Sequence, residues 1–307
     1  MNRILKMLCA MTMLLFVTCL SACRKEAAVT LDYSKAWMYA QSRTLNFQLV
    51  INSAEETDAN VFHTVLTQIS GTAALEYKKE HCVFTVNSLK VKITAGEVDF
   101  AYDSSVKYSD ERDILRNTPF HILLDKGLVF SFTENGRISD IEGYEAITDA
   151  LDQQAGRSET AYQIKRTFYE YFSKDSIKFL LERFTGQIPF FPIAANSTIN
   201  VVSENVLPYG CNLDTVFQYN GITDNSHSFD ITGTVSANQE YSGIKFALSG
   251  ETSGKMELYE SSGSGSPFRK GYEQSNLKGT EKYEDGGETI ERNLSLTLSL
   301  QYELRND

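Results

Sequence analysis

The sequence predicts an α+β fold that is mainly β. One large, curved antiparallel sheet, half-barrel or sandwich-like, is covered on one face by a helical segment at about 142–185. Three observations carry this. Apolar and polar residues alternate at period two on both sides of that segment, the period inside it becomes helical, and alternation returns after Pro192 and lasts to the end. Alternation of this kind belongs to sheets wetted on one face, which argues for antiparallel rather than doubly wound parallel strands.

The first half reads as strands and tight turns. Leu45, Phe47, Leu49 and Ile51 alternate with Asn46, Gln48 and Val50. Leu89, Val91 and Ile93, then Val98, Phe100 and Tyr102, form a hairpin about Ala95-Gly96. Phe120, Ile122 and Leu124 read as a strand entering Asp125-Lys126-Gly127, which places His121 in a strand and Asp125 in a turn. Residues 128–132 and the strand carrying Ile138 and Ile141 flank Glu134-Asn135-Gly136, a turn in which asparagine and glycine accept positive φ.

The period then changes. Residues 142–151 read as a short helix and 158–184 as one broken helix or two. Ile164, Phe168, Tyr171 and Phe172 form one stripe, and Ile177, Leu180, Leu181 and Phe184 the next. Glu159 suits a first turn, while Gly186 and Pro189 end the helical region. Helices this apolar need a broad apolar surface, so a helical cover packed on the sheet is predicted in preference to a ligand wall.

After Pro192, Phe229, Ile231 and Val235, then Ile244, Phe246 and Leu248, then Met256 and Leu258 alternate again. The glycine-serine run 261–266 is a flexible hairpin loop. In the last strand Leu294, Leu296, Leu298, Leu300, Tyr302 and Leu304 share one face, with Ser295, Thr297, Ser299, Gln301 and Glu303 on the other. Glu284-Asp285-Gly286-Gly287-Glu288 reads as a charged hairpin turn, with calcium binding the rarer alternative.

At the N-terminus Arg3 and Lys6 precede an apolar run, 7–20, too short to span a membrane. Leu20-Ser21-Ala22-Cys23 resembles the bacterial lipobox. The resemblance implies a signal peptide at 1–22, a lipid on Cys23, a tether at 23–30 and a single β-rich domain at 31–307 with a central helical insertion. Its implied partner is a membrane reached through the N-terminal lipid, in the cell envelope. Arg24, where an aspartate would favour inner-membrane retention in some bacteria, tilts the reading to the outer membrane. The segment 130–144, after Tyr102-Asp103-Ser104, together with Gly250, Gly254, Leu258 and Gly279, is similar to a family of uncharacterised bacterial envelope lipoproteins. That resemblance implies strand, turn and helix types and no catalytic residue.

Net charge is −11 for the whole chain and about −13 without the leader. With basic residues clustered only in pairs such as Lys78-Lys79, nucleic acid is not an expected partner. Beyond the leader and Cys23, Cys82 and Cys211 are the remaining cysteines. A disulfide between them is allowed in an oxidising compartment, and two buried free thiols fit equally well. His63, His81, His121 and His227 show no metal-ligand spacing, and no nucleophile elbow or phosphate loop occurs, so no catalytic, cofactor or metal set is read. His121 with Asp125, or His63, are the candidates that a dispersed hydrolase site would use.

The expectation is a lipid-anchored, non-enzymatic envelope binding or assembly protein whose ligand is an unknown protein or apolar molecule. A lipid or lipoprotein carrier and an envelope hydrolase are the alternatives. A continuous apolar cavity beneath the helices marks a carrier, and a filled core marks a scaffold.

Overall fold

The structure is a computed structural model that describes residues 29–32, 42–57, 60–78, 81–156, 159–189, 191–206, 209–238, 240–241, 243–259 and 267–306. Fifteen strands are present among them. A short pair, β1 (Thr30–Leu31) with β8 (Ile193–Ala194), stands apart from one 13-stranded sheet. That sheet comprises β2 (Ser42–Thr57), β3 (Asn60–Tyr77), β4 (Cys82–Ala95), β5 (Val98–Asp103), β6 (Gly127–Phe132), β7 (Ile138–Glu142), β9 (Thr198–Val206), β10 (Cys211–Thr223), β11 (Ser226–Ala237), β12 (Glu240–Tyr241), β13 (Ile244–Tyr259), β14 (Pro267–Asp285) and β15 (Glu288–Asn306). The main path runs β7-β6-β4-β3-β2-β15-β14-β13-β11-β10-β9, with β5 beside β4 and β12 beside β13. The two halves of the chain therefore share one sheet, joined where β15 pairs with β2 in unbroken antiparallel register, Leu300 opposite Leu49 and Leu304 opposite Leu45.

The predicted hairpins form. Ala95 pairs with Val98 around Gly96 at φ 59°. Asp285 pairs with Glu288 around Gly286 and Gly287, both at positive φ, so 284–288 is a tight charged turn. The 261–266 loop lies outside the described residues.

Four helices occur among the described residues: α1 (Glu111–His121), α2 (Tyr144–Ala155), α3 (Glu159–Phe172) and α4 (Lys174–Thr185). The broken helix is thus two, divided at Ser173, whose side chain accepts the Ser176 N–H and caps α4. One expectation is corrected. Residues 120 and 121 end α1 rather than lying in a strand, because Asp110 caps that helix by accepting the N–H groups of Arg112 and Asp113. Phe120 and Ile122 are buried even so. An apolar residue at every second position near a helix end imitates a strand.

The sheet is strongly curled, and α4 shows by how much. The path from β7 to β9 takes ten inter-strand steps, about 48 Å in a flat sheet. Yet Arg137, beside the first residue of β7, donates from Nη2 to the carbonyl of Val202 on β9 at 2.9 Å. The two edges are therefore brought within one side chain of each other, without pairing as a closed barrel.

The end of α4 sits in that curl and reaches its walls in several directions. Phe184 packs on Phe47 of β2 and Tyr302 of β15, at ring distances of 5.7 and 5.4 Å. Glu182, buried, accepts Arg137 Nε at 2.9 Å and the Ile138 N–H at 3.0 Å. Arg269 of β14 donates to the carbonyls of Arg183 and Gly186 at 2.7 and 2.8 Å, placing a cation on the helix C-terminus.

Arg183 lies at 1% exposure against Glu273 of β14, Nε to Oε2 2.7 Å and Nη2 to Oε1 3.2 Å. The Nε contact is misaligned for a hydrogen bond, so charge attraction carries it. Arg183 also donates to Thr215 of β10, and its guanidinium stands 4.7 Å from the Phe179 ring centre. Thr252 donates to the same Glu273 carboxylate at 3.2 Å.

Removing one partner of a buried pair strands the other charge. Arg183→Met alone is expected to lower stability by about 3–5 kcal/mol in urea unfolding, and Arg183→Met with Glu273→Leu to lose much less. Additive losses in the double variant would contradict the pair's role.

Candidate functional site

Outward-facing residues of β2, β15, β14 and β13 form the candidate site. Their registers align them in rows across the sheet. Gln48 stands opposite Gln301, Gln301 opposite Tyr272, and Tyr272 opposite Lys255. Two residues along, Asn46, Glu303, Lys270 and Glu257 are matched in the same way. Together they border an open cleft of about 530 Å³ on the outer wall, with Phe47, Gly271 and Tyr302 from the intervening row also lining it.

Each of these side chains faces outward because the alternate residues are claimed by the core. Leu45, Leu49, Leu300 and Leu304 are buried on the inner face, which sends Asn46, Gln48, Gln301 and Glu303 to the outer one. Gly271 is required by a close approach: a Cβ there would meet the Tyr302 hydroxyl at 2.6 Å. That hydroxyl accepts Arg269 Nε at 3.2 Å, so the wall beneath the cleft is tied to the α4 cap.

The charges of the second row are internally matched. Lys270 Nζ lies 2.8 Å from Glu257 Oε2, which also accepts the Tyr259 hydroxyl at 2.9 Å. The lysine bond and then the tyrosine bond hold the Glu257 carboxyl below its usual range, against burial, and the Glu257 bond raises Lys270. Arg305 pairs with Glu303. What remains for a visitor is the first row: two primary amides, one ammonium, and the Tyr272 ring at 50% exposure.

An apolar void between Phe47, Leu89, Leu128, Phe172, Leu181 and Phe184 measures about 50 Å³. The helical stripes read from the sequence are buried, including Ile164, Phe168, Tyr171, Ile177 and Phe184.

The residues singled out from the sequence are not brought together. Cys23 lies outside the described residues. Cys82 on β4 and Cys211 on β10 are both buried thiols, with six strands between them in the hydrogen-bonded order. Burial raises both thiols, Cys211 to about 12. His121 Nδ1 stands 3.1 Å from the hydroxyl of Tyr102, itself pushed up to about 12 by burial first, whereas Asp125 occupies a turn at φ 58° and donates its N–H to the Val86 carbonyl. His63 lies in β3, and its side chain is outside the description. His227 is buried against the Tyr219 hydroxyl at 2.5 Å. Among the described residues no three His, Cys, Asp or Glu side chains group as a metal site.

Alternation could have identified the outward residues of the cleft one strand at a time. Their alignment depends on β2 pairing with β15, more than 240 residues away along the chain.

A model of a family of unknown function, DUF6263, matches residues 81–264. Among solved structures, Pseudomonas aeruginosa OccK5 (OpdH) is 7% identical, with 86% of this chain and 98% of that chain covered and a TM-score of 0.19. The P. aeruginosa outer membrane protein OpdK is 8% identical over 86% of this chain and 98% of that chain, with a TM-score of 0.16. Scores this low carry no argument about fold or activity. No curated protein matches the chain.

Cys82 and Cys211 are expected to resist iodoacetamide in the native protein at pH 8 and to react fully in denaturant without reductant, read by peptide mass spectrometry. Protection that persists in denaturant would reveal a bridge.

Proposed function

The chain belongs to DUF6263, a family of unknown function, and we propose that it is a lipid-anchored, non-enzymatic binding module of the bacterial cell envelope that takes a neutral polar ligand of the glycan class in its outer-face cleft. The carrying observation is the cleft itself: about 530 Å³, in the size range of ligand sites, on a wall where Lys270 pairs with Glu257 and Arg305 with Glu303. Amides at Gln48 and Gln301 supply paired donors and acceptors for hydroxyl groups, and the exposed Tyr272 ring supplies a stacking face.

The interior void of about 50 Å³ weighs against carriage of a lipid, since a dry cavity of about 150 Å³ is needed for as little as benzene. Anchoring through Cys23 is compatible with where the domain begins. The carbonyl of Val29 accepts the Ala195 N–H at 2.8 Å, and six residues from Cys23 reach at most about 20 Å, so a lipid there keeps the domain beside the bilayer. Outer-membrane placement follows the reading of Arg24.

Two measurements test this. Cys23→Ser should move the folded protein from the membrane to the soluble fraction, and retention at the membrane would contradict the anchor. Neutral oligosaccharides of two to four units should bind saturably by calorimetry, and Tyr272→Ala should weaken binding about tenfold, equivalent to about 1.4 kcal/mol, without lowering the melting temperature. Absence of binding, or binding indifferent to Tyr272→Ala, would overturn the cleft.

A further inference from the structure

A second chamber, of about 180 Å³, lies at the other ends of the strands that carry the cleft. Its polar wall is acidic: Glu55 of β2, Glu170 of α3 and Glu281 of β14. All three feel a guanidinium, Arg292 acting on Glu281 as well as on Glu55, but only two have a direct partner. Arg292 pairs with Glu55, and Arg166 on the chamber's wall acts on the charge of Glu170, which also has a hydrogen bond with Tyr171. Glu281 differs. It is 7% exposed, lines the chamber, and has neither a salt bridge nor a hydrogen bond among the described residues. A carboxylate left this way is expensive unless something supplies the missing positive charge or proton.

The chamber is also lined by two aromatic rings. Tyr209 and Phe246 stack at 4.8 Å with planes 19° apart, and the Tyr209 hydroxyl is engaged with Ser53. Aromatic faces attract cations through the ring quadrupole, and the attraction strengthens as water is excluded. Three carboxylates against two guanidiniums leave the chamber one positive charge short.

We propose that this chamber binds a small organic monocation, a primary or methylated amine, with Glu281 as its counter-charge and the Tyr209–Phe246 pair as its apolar wall. The volume fits an amine of about the bulk of benzene, for which about 150 Å³ suffices. In the empty chamber burial first, and then the charge of Glu55, raises the Glu281 carboxyl above its usual range against the opposing pull of Arg292. Burial likewise raises Glu170. An incoming ammonium pairs with the ionised form of Glu281, so affinity increases with pH as that carboxyl ionises.

The test is calorimetry of the full-length chain in detergent with ethylammonium or choline chloride, against sodium chloride at equal ionic strength. The expected result is saturable binding at pH 8 and weaker binding at pH 5. Glu281→Gln should reduce affinity at least thirtyfold, while Glu204→Gln, an exposed carboxylate on β9, should leave it unchanged. Should Glu281→Gln misfold, the loss of affinity of the unmodified protein between pH 8 and pH 5 still decides. No heat beyond the sodium chloride control, or affinity indifferent both to pH and to Glu281→Gln, would overturn the proposal. Neither outcome bears on oligosaccharide binding in the cleft.

Discussion

Two neighbouring residues of α4, Glu182 and Arg183, set the shape of the molecule. Both are almost wholly buried, and about 100° of helical rotation directs them to different walls. Glu182 holds the β7 edge through Arg137 and the Ile138 N–H, and Arg137 in turn reaches β9. Arg183 binds Glu273 and Thr215 on the far side. A charge buried without its partner is costly, so each contact requires its wall to come to the helix. The long sheet has to curl to meet both. Hydrophobic burial drives the collapse, and these charges select the geometry of the curl.

The seam depends on one backbone position as well. Gly136, at φ 71°, accepts the Gln187 N–H on its carbonyl at 2.6 Å, and a Cβ there would stand 2.1 Å from the Ile188 carbonyl oxygen. A side chain at 136 would push the β6–β7 turn off the segment that leaves α4. The turn glycine and the buried glutamate thus close the same gap, one by shape and one by charge. With the gap closed, the helical stripes pack inside and leave an apolar void of about 50 Å³ beside α4. Space for ligands is left on the outer wall and at the chamber near the β2–β3 and β14–β15 turns.

Much of this architecture was legible in the residues. Period-two alternation located the core of β2 and of β15, Asn135-Gly136 marked its turn, and the helical stripes were the buried ones. The error at 120–121 had a local cause, an apolar spacing that fits the end of a helix as well as a strand. The sites were less legible for a different reason. Gln48, Gln301, Tyr272 and Lys255 become neighbours only through long-range pairing, and the solitude of Glu281 depends on where Arg292 and Arg166 point. Single-strand patterns reveal which face a residue takes. They do not reveal what stands opposite it.

The account rests on a sheet held shut around α4 rather than one that opens to load an apolar cargo. Its most direct measurement is the distance between the two edges, read by electron–electron double resonance with spin labels at Ser139 on β7 and Glu204 on β9, both exposed. The account predicts one short, narrow distribution below about 30 Å, against about 48 Å for a flat sheet, unchanged when phospholipid is added. A long or broad distribution, or one that lengthens with lipid, would contradict it.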